Sequence, residues 1–298
     1  MPTLLALRQA LARAMGDLEV VGTTSATGTT VVSPSLQNAT ANASTGRYNG
    51  HWLYVSTGTG IGQQRVVTTN GYDPATGTLT VNTAWATNPS ASTLEISRWF
   101  PAIPEVLVGT TDYRTIINRA LSMLVVPDEI TLSVTTSDEY ALTTWQAWLD
   151  RPERLVRVLE PSPLASRAPI EVPPRGWELV LDAQLPKLRT QRPFSASTGN
   201  LTLQVRRPAN TWIAVASTWG ESAVGLSADT DEAKPTVADV VTVALAEAYQ
   251  VLLHRSVGAP NGPWLELWQA QRELARGVKY YDRSLEREPD QAPAPVAA

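Results

Sequence analysis

The sequence contains no cysteine, so it can form neither disulfides nor thiolate metal sites. Histidine occurs only twice, at His51 and His254. That is too few for a histidine-based metal centre, and neither residue belongs to a nucleophile-elbow or triad pattern. Charge is sparse at 17% of residues, with a net charge of -4 that argues against a general nucleic-acid binder. Lysine is confined to Lys187, Lys234 and Lys279, which leaves nearly all positive charge on arginine. No apolar run approaches the roughly 20 residues of a membrane span. The apolar start from Leu4 to Met15 is interrupted by Arg8 and Arg13, unlike a secretory signal. These absences predict a soluble chain made in a cytosol, without membrane contact.

What is present falls into segments. Thr3 is placed to cap a helix carrying Leu4, Leu7, Leu11 and Met15 one turn apart, with Gly16 as its stop. Its narrow stripe calls for a partner surface, such as a neighbouring subunit. From residue 17 to 100, β-branched runs (LEVV, TTVV, HWLYV, QRVVTT, GTLTVN, STLEIS) alternate with Gly, Asn, Pro and Ser clusters. That spacing predicts an antiparallel sandwich or small barrel. Within it GTGIG looks like a phosphate loop, but such a loop must enter a helix, and QQRVVTT reads as a strand. Gly58, Gly60 and Gly62 are therefore expected in a hairpin turn, and NGYDPATG in a second turn.

Pro101 and Pro104 lead into a predicted helix over 111–125, with Thr111 as cap and Pro127 as stop. Strand-like runs over 129–217 form a second β region, and 220–234 reads as a polar loop. Thr236, with Asp239 three residues on, starts a helix whose stripe is Val240, Val241, Ala244, Leu245, Ala248 and Leu252. After GAPNGP, Pro263 opens a second helix carrying Trp264, Leu267, Trp268, Gln271, Leu274, Ala275, Val278 and Tyr281, so 236–285 is expected as an antiparallel helical hairpin. Residues 286–298 are rich in Pro and Ala and are expected to be disordered. The fold class is α+β: an N-terminal helix (1–16), an antiparallel β-sandwich or barrel module (17–100), and a domain (101–285) with a helix bundle and the second β region.

Catalytic groups do not converge in the sequence. His254 and Arg255 suit a helix C-terminus. Asp138 with Glu139, and Asp229, Asp231 and Glu232, are carboxylate clusters in turn-like contexts, where a solvated acidic loop is the plain reading. The second cluster lacks the glycine and distal glutamate of an EF-hand. Tryptophan is abundant, 10 against 2 phenylalanines. Trp145, Trp148, Trp264 and Trp268 read as core, while Trp52, Trp85 and Trp99 are either core or a sugar-stacking platform. Arg151, Arg154, Arg157, Arg206 and Arg207 offer forks that bridge carboxylates on another subunit.

The phrase from GTGIGQQRVVTT to STLEIS resembles a module of tailed-bacteriophage virion proteins. Gly60, Gly62, Gln63, Arg65, Val67, Leu79, Val81, Trp85 and Pro89 match its pattern. The helix TTDYRTIINRALSML, the block WLDRPERLVRVLEP, and the pair ALAEAYQVLLHRS and WLELWQAQRELARGVKYYDR are similar to head-to-tail adaptor (connector) proteins. The resemblance implies a virion structural protein of the neck, not an enzyme, with no cofactor. It implies a ring homo-oligomer, a dodecamer by family analogy, between the portal protein and tail tube, nozzle or fibre proteins, with DNA passing unrecognised through the channel. Partner contacts are expected at Arg151, Arg154, Tyr280, Tyr281, Arg283 and Arg287. The competing readings are another neck or tail protein, such as a fibre or collar anchor, a glycan-binding receptor-recognition protein, and a wall-degrading hydrolase.

Overall fold

A computed structural model describes residues 1–38, 44–104, 111–135, 137–145, 148–149, 151–162, 168–182, 185–194, 199–215, 218–222, 225–256, 263–278 and 281–282. The protein is α+β, with antiparallel ladders throughout its paired strands. Its backbone divides into two compact units, residues 1–120, 214–218 and 226–278, and residues 121–213, 219–225 and 279–298.

The first unit is built on seven strands: β1 (Glu19–Gly22), β2 (Ser25–Thr27), β3 (Thr30–Val32), β4 (Trp52–Thr57), β5 (Gln64–Asp73), β6 (Thr78–Val81) and β7 (Thr93–Ser97). They form one sheet in the order β1-β7-β4-β5-β6-β3-β2. All six predicted runs are strands, and β2 is an addition. The long β5 bends the sheet. Its first half pairs with β4 (Trp52↔Val66) and its second with β6, across a bulge between Val67 and Tyr72. Asn70, at φ 55, and Gly71 sit in that bulge, where a Cβ on Gly71 would meet the Thr80 carbonyl at 2.7 Å. The expected NGYDPATG turn is therefore shorter, because Asn70 to Asp73 stay in the strand. Leu53, Val55, Leu94 and Ile96 from one half and Val31, Tyr72, Leu79 and Val81 from the other share one core.

The sheet is rolled but open, so of the two forms expected for this module, sandwich or small barrel, it is not a closed barrel. Its edges β1 and β2 are joined only by Thr23 and Thr24. These bond instead to the Ser92 and Val32 carbonyls, and the Thr23 hydroxyl donates to the Pro89 carbonyl at 2.7 Å.

Four helices occur among the described residues: α1 (Leu4–Ala14), α2 (Tyr113–Met123), α3 (Val237–Arg255) and α4 (Trp264–Arg276). Thr3 caps α1 by accepting from the Ala6 amide, and Thr236 caps α3 by accepting from the Asp239 amide. For α2 the first-turn bonds come from Asp112, not Thr111. Its carboxylate accepts from the Thr115 amide at 2.9 Å and the Thr115 hydroxyl at 2.7 Å. Pro127 does not stop α2 either. The helix ends at Met123, and Pro127 lies inside a strand at a sheet edge, where the missing N–H is tolerated.

The apolar stripe of α1 is covered within its own unit: Leu4, Leu7 and Leu11 are fully buried and the helix packs on α3. No neighbouring subunit is needed for it. Helix α3, packed on α1 and α4, buries Val240, Ala244, Ala248 and Leu252 of its predicted stripe, but Val241 and Leu245 are only half-buried and Val243 and Ala246 are covered instead. It is also the one helix among the described residues long and apolar enough, by length and composition, to cross a membrane. Helix α4 ends at Arg276, so Tyr281 lies outside it.

The second unit packs two sheets around a core of their facing side chains. The strands are β8 (Val125–Ser133), β9 (Glu139–Ala141), β10 (Leu155–Glu160), β11 (Ile170–Glu171), β12 (Trp177–Asp182), β13 (Leu185–Thr190) and β14 (Asn200–Pro208). The orders are β11-β10-β14-β8 and β12-β13-β9. Ile130, Val158, Leu201, Leu203 and Val205 of the first sheet meet Tyr140, Leu179 and Leu188 of the second, with Trp148 and Leu149 between. The second β region is thus a small antiparallel sandwich.

Candidate interaction cleft

The block WLDRPERLVRVLEP turns at Pro152–Arg154 and enters β10, where a bulge between Leu155 and Arg157 interrupts pairing with β14. Leu155 and Val158 face the core, while Val156 is left 41% exposed. Beside it run β14, presenting the exposed Arg206, and the start of β8. Val125, Pro127, Val156, Arg206 and Tyr281 line a groove of about 740 Å³. A smaller hollow of about 340 Å³ shares Val125, Arg206 and Tyr281 and adds Arg151, Glu153 and Arg154. Tyr281 is held there by main-chain contacts: it bridges to Leu124, and the Asp282 amide donates to the Met123 carbonyl at 2.8 Å.

Of the residues expected at a partner contact, the structure thus brings Arg151, Arg154 and Tyr281 to one cleft. Tyr280, Arg283, Arg287 and the whole of 286–298 lie outside the described residues. The three differ in what they offer. Arg151 and Tyr281 are half-buried at the cleft wall. Arg154 is only 6% exposed and donates to the Trp148 carbonyl, so its guanidinium holds the turn before β10. Arg206, one of the arginines expected to bridge subunits, and Val156, which was not singled out, complete the lining. An alternating strand with one apolar residue on its polar face was the signal that could have found Val156. The apolar floor with arginine and carboxylate at its rim suits a polypeptide surface more than a reaction centre.

Of the other arginines expected to bridge subunits, Arg157 is exposed and pairs with Glu171 at 3.8 Å, whereas Arg207 is internal. Arg207 is 2% exposed, lies between the Trp148 and Trp212 rings at 4.8 and 4.4 Å, and donates to Asp128 and to the Thr211 hydroxyl and carbonyl. Glu139, one of the candidate acid pair, accepts from Arg189 at 2.8 Å on an exposed sheet surface.

In the first unit the acidic cluster of the predicted polar loop is not a solvated loop. Arg8 is 1% exposed; its Nε donates to Glu95 at 3.0 Å and its Nη1 to Asp229 at 2.5 Å. The Tyr54 hydroxyl donates to Asp229 at 2.8 Å, and Gln9 donates to Glu95 at 2.7 Å. Burial alone would lower the Arg8 pKa, but the carboxylates outweigh it and hold it above the ordinary guanidinium range. Asp231, 1% exposed, accepts from the Ser227 and Ala228 amides. The Leu4 and Leu5 amides, unpaired within α1, donate to the carbonyls of Asp231 and Asp229. No cluster of three or more His, Asp or Glu placed to hold a metal occurs among the described residues.

Asp17, 7% exposed, accepts from the Arg98 and Trp99 amides and from the Tyr113 hydroxyl at 2.5 Å. Burial raises its pKa more than these donors lower it. His254 is exposed at the end of α3, whereas Arg255 donates to the Trp99 and Thr111 carbonyls. Gly58, Gly60 and Gly62, all at positive φ, connect antiparallel β4 and β5, a strand–turn–strand geometry with no helix N-terminus for a phosphate. Trp85 is core, under Arg65. Trp99 packs edge-on against Trp264, and Trp52 is half-buried. No family model matches the chain, and neither the curated proteins nor the solved structures contain a match to it.

Proposed function

We propose that the chain is a structural protein of a tailed-bacteriophage virion, a head-to-tail adaptor that assembles into a ring between portal and tail. The observation that carries this reading is the width of the apolar stripe on α4. At about 100° per residue, Ala275, Trp264 and Trp268 fall on one flank of the stripe and Leu267 and Leu274 on the other. The first flank is covered: Ala275 is buried, Trp264 stacks on Tyr249 of α3, and Gln271 donates to the Thr242 carbonyl. The second is bare, with Leu267 38% and Leu274 62% exposed. A helix that keeps two leucines, two turns apart, in water is suited to a second copy of itself.

Further support comes from how the polar groups are used. Arg8, Asp17, Asp229, Asp231 and Arg207 are consumed in holding elements together, as a tile requires. The cleft around Tyr281 offers a polypeptide partner an apolar floor. Light scattering on the full chain tests the reading: an oligomer is expected for the native sequence, and dissociation for Leu267→Glu with Leu274→Glu. A native monomer, or an oligomer indifferent to both changes, contradicts it.

A further inference from the structure

A second concavity, of about 540 Å³, opens in the first unit beside the start of β1. Gly16, Leu18 and Ile96 line it together with Arg47, His51 and Arg98 and the acids Asp17 and Glu19. Both acids of the lining are already engaged. Asp17 is closed by two amides and the Tyr113 hydroxyl, and Glu19 accepts from the Tyr48 hydroxyl at 2.9 Å and pairs with Arg47 at 3.6 Å. Arg98 is exposed and makes no ion pair among the described residues; its guanidinium lies 4.6 Å over the Trp99 ring. Arg47 lies likewise 4.9 Å over Tyr48. A guanidinium stacked on a ring is held flat while its N–H groups stay directed outward in its own plane, the geometry that takes a carboxylate with two parallel bonds.

We infer that this groove binds a short acidic peptide segment, one carboxylate meeting Arg98 and a neighbouring one the Arg47 and His51 wall. A sugar fits less well because the aromatic surfaces are taken. Arg98 covers Trp99, whose ring also meets Trp264, while Tyr48 is flanked by Arg47, Tyr72 and His51. A nucleic-acid backbone fits less well because the groove has only two arginines, one already shared with Glu19, in a chain of net charge -4. The inference stands independently of the ring, since it concerns side chains of one unit.

The test is calorimetric titration of the full chain with the blocked tetrapeptide acetyl-Asp-Glu-Asp-Glu-amide, with inorganic phosphate and a uronic-acid disaccharide as parallel ligands. Saturable binding of the peptide is expected, weakening with salt and falling about tenfold or more in Arg98→Ala and again in Arg47→Ala. Both residues are exposed, so thermal melts of the variants should match the native chain. No peptide binding up to about 10 mM, equal binding by the double variant, or tighter binding of phosphate or the disaccharide each overturns the inference.

Discussion

Arg8 joins segments far apart in the chain. It ties α1 to Glu95 of β7 and to Asp229 ahead of α3, with Tyr54 of β4 completing the cage. Removing one partner of a buried pair leaves the others charged and uncompensated, so Arg8→Ala should cost about 3–5 kcal/mol in denaturant unfolding of the first unit. Conversely, Glu247 on α3 is held above the usual carboxylate range by burial, with Arg119 offsetting only part of it. Its folded pKa therefore exceeds its unfolded one, and the native state holds the extra proton between the two. Stability from this group is full below the ordinary glutamate pKa and is lost as pH rises through the raised value. Glu247→Gln should raise the melting temperature at neutral pH and flatten that decline; an unchanged pH profile would count against the assignment. Asp17, raised by burial as well, contributes a slope of the same sign that this substitution leaves in place.

At the scale of elements, the β4–β5 connection gives a paired prediction. Gly58 has φ +84 and a Cβ there would sit 2.8 Å from the Ala91 carbonyl, whereas Gly62 has φ +86 with nothing within 4 Å. Gly62→Ala should cost only the backbone strain, about 1–2 kcal/mol, and Gly58→Ala clearly more, as read from thermal unfolding. The contrast also shows what the sequence carries. Local chemistry was legible: glycines that need positive φ, the caps Thr3 and Thr236, and alternating runs that became β1 and β3 to β7. What depended on distant segments was not. Nothing local says that Asp229 meets Arg8, 221 positions away, or that Arg207 slots between Trp148 and Trp212. Pro127 looked like a helix stop because its place at a sheet edge is set by β14. Of the candidate cleft, Arg151, Arg154, Arg206 and Tyr281 stood out as arginines and a tyrosine suited to a partner contact. Val156 did not, because its exposure goes with the bulge in β10.

For the whole molecule, the bare flank of α4 and the partner cleft are the features a ring subunit would use, and they make separate demands. Charge at Leu267 and Leu274 should disrupt self-association and leave the fold of the single chain intact, read by circular dichroism, since both side chains face water there. On the proposed reading, truncation after Leu285 should leave the fold intact and impair docking to the portal, read by co-sedimentation, because a Pro- and Ala-rich segment is suited to ordering on a partner. The measurement closest to the central claim is negative-stain electron microscopy of the full chain, imaged alone and after mixing with the portal of the same virus. Closed rings of uniform diameter in either preparation are the predicted result. Isolated 32.2 kDa particles in both would contradict it.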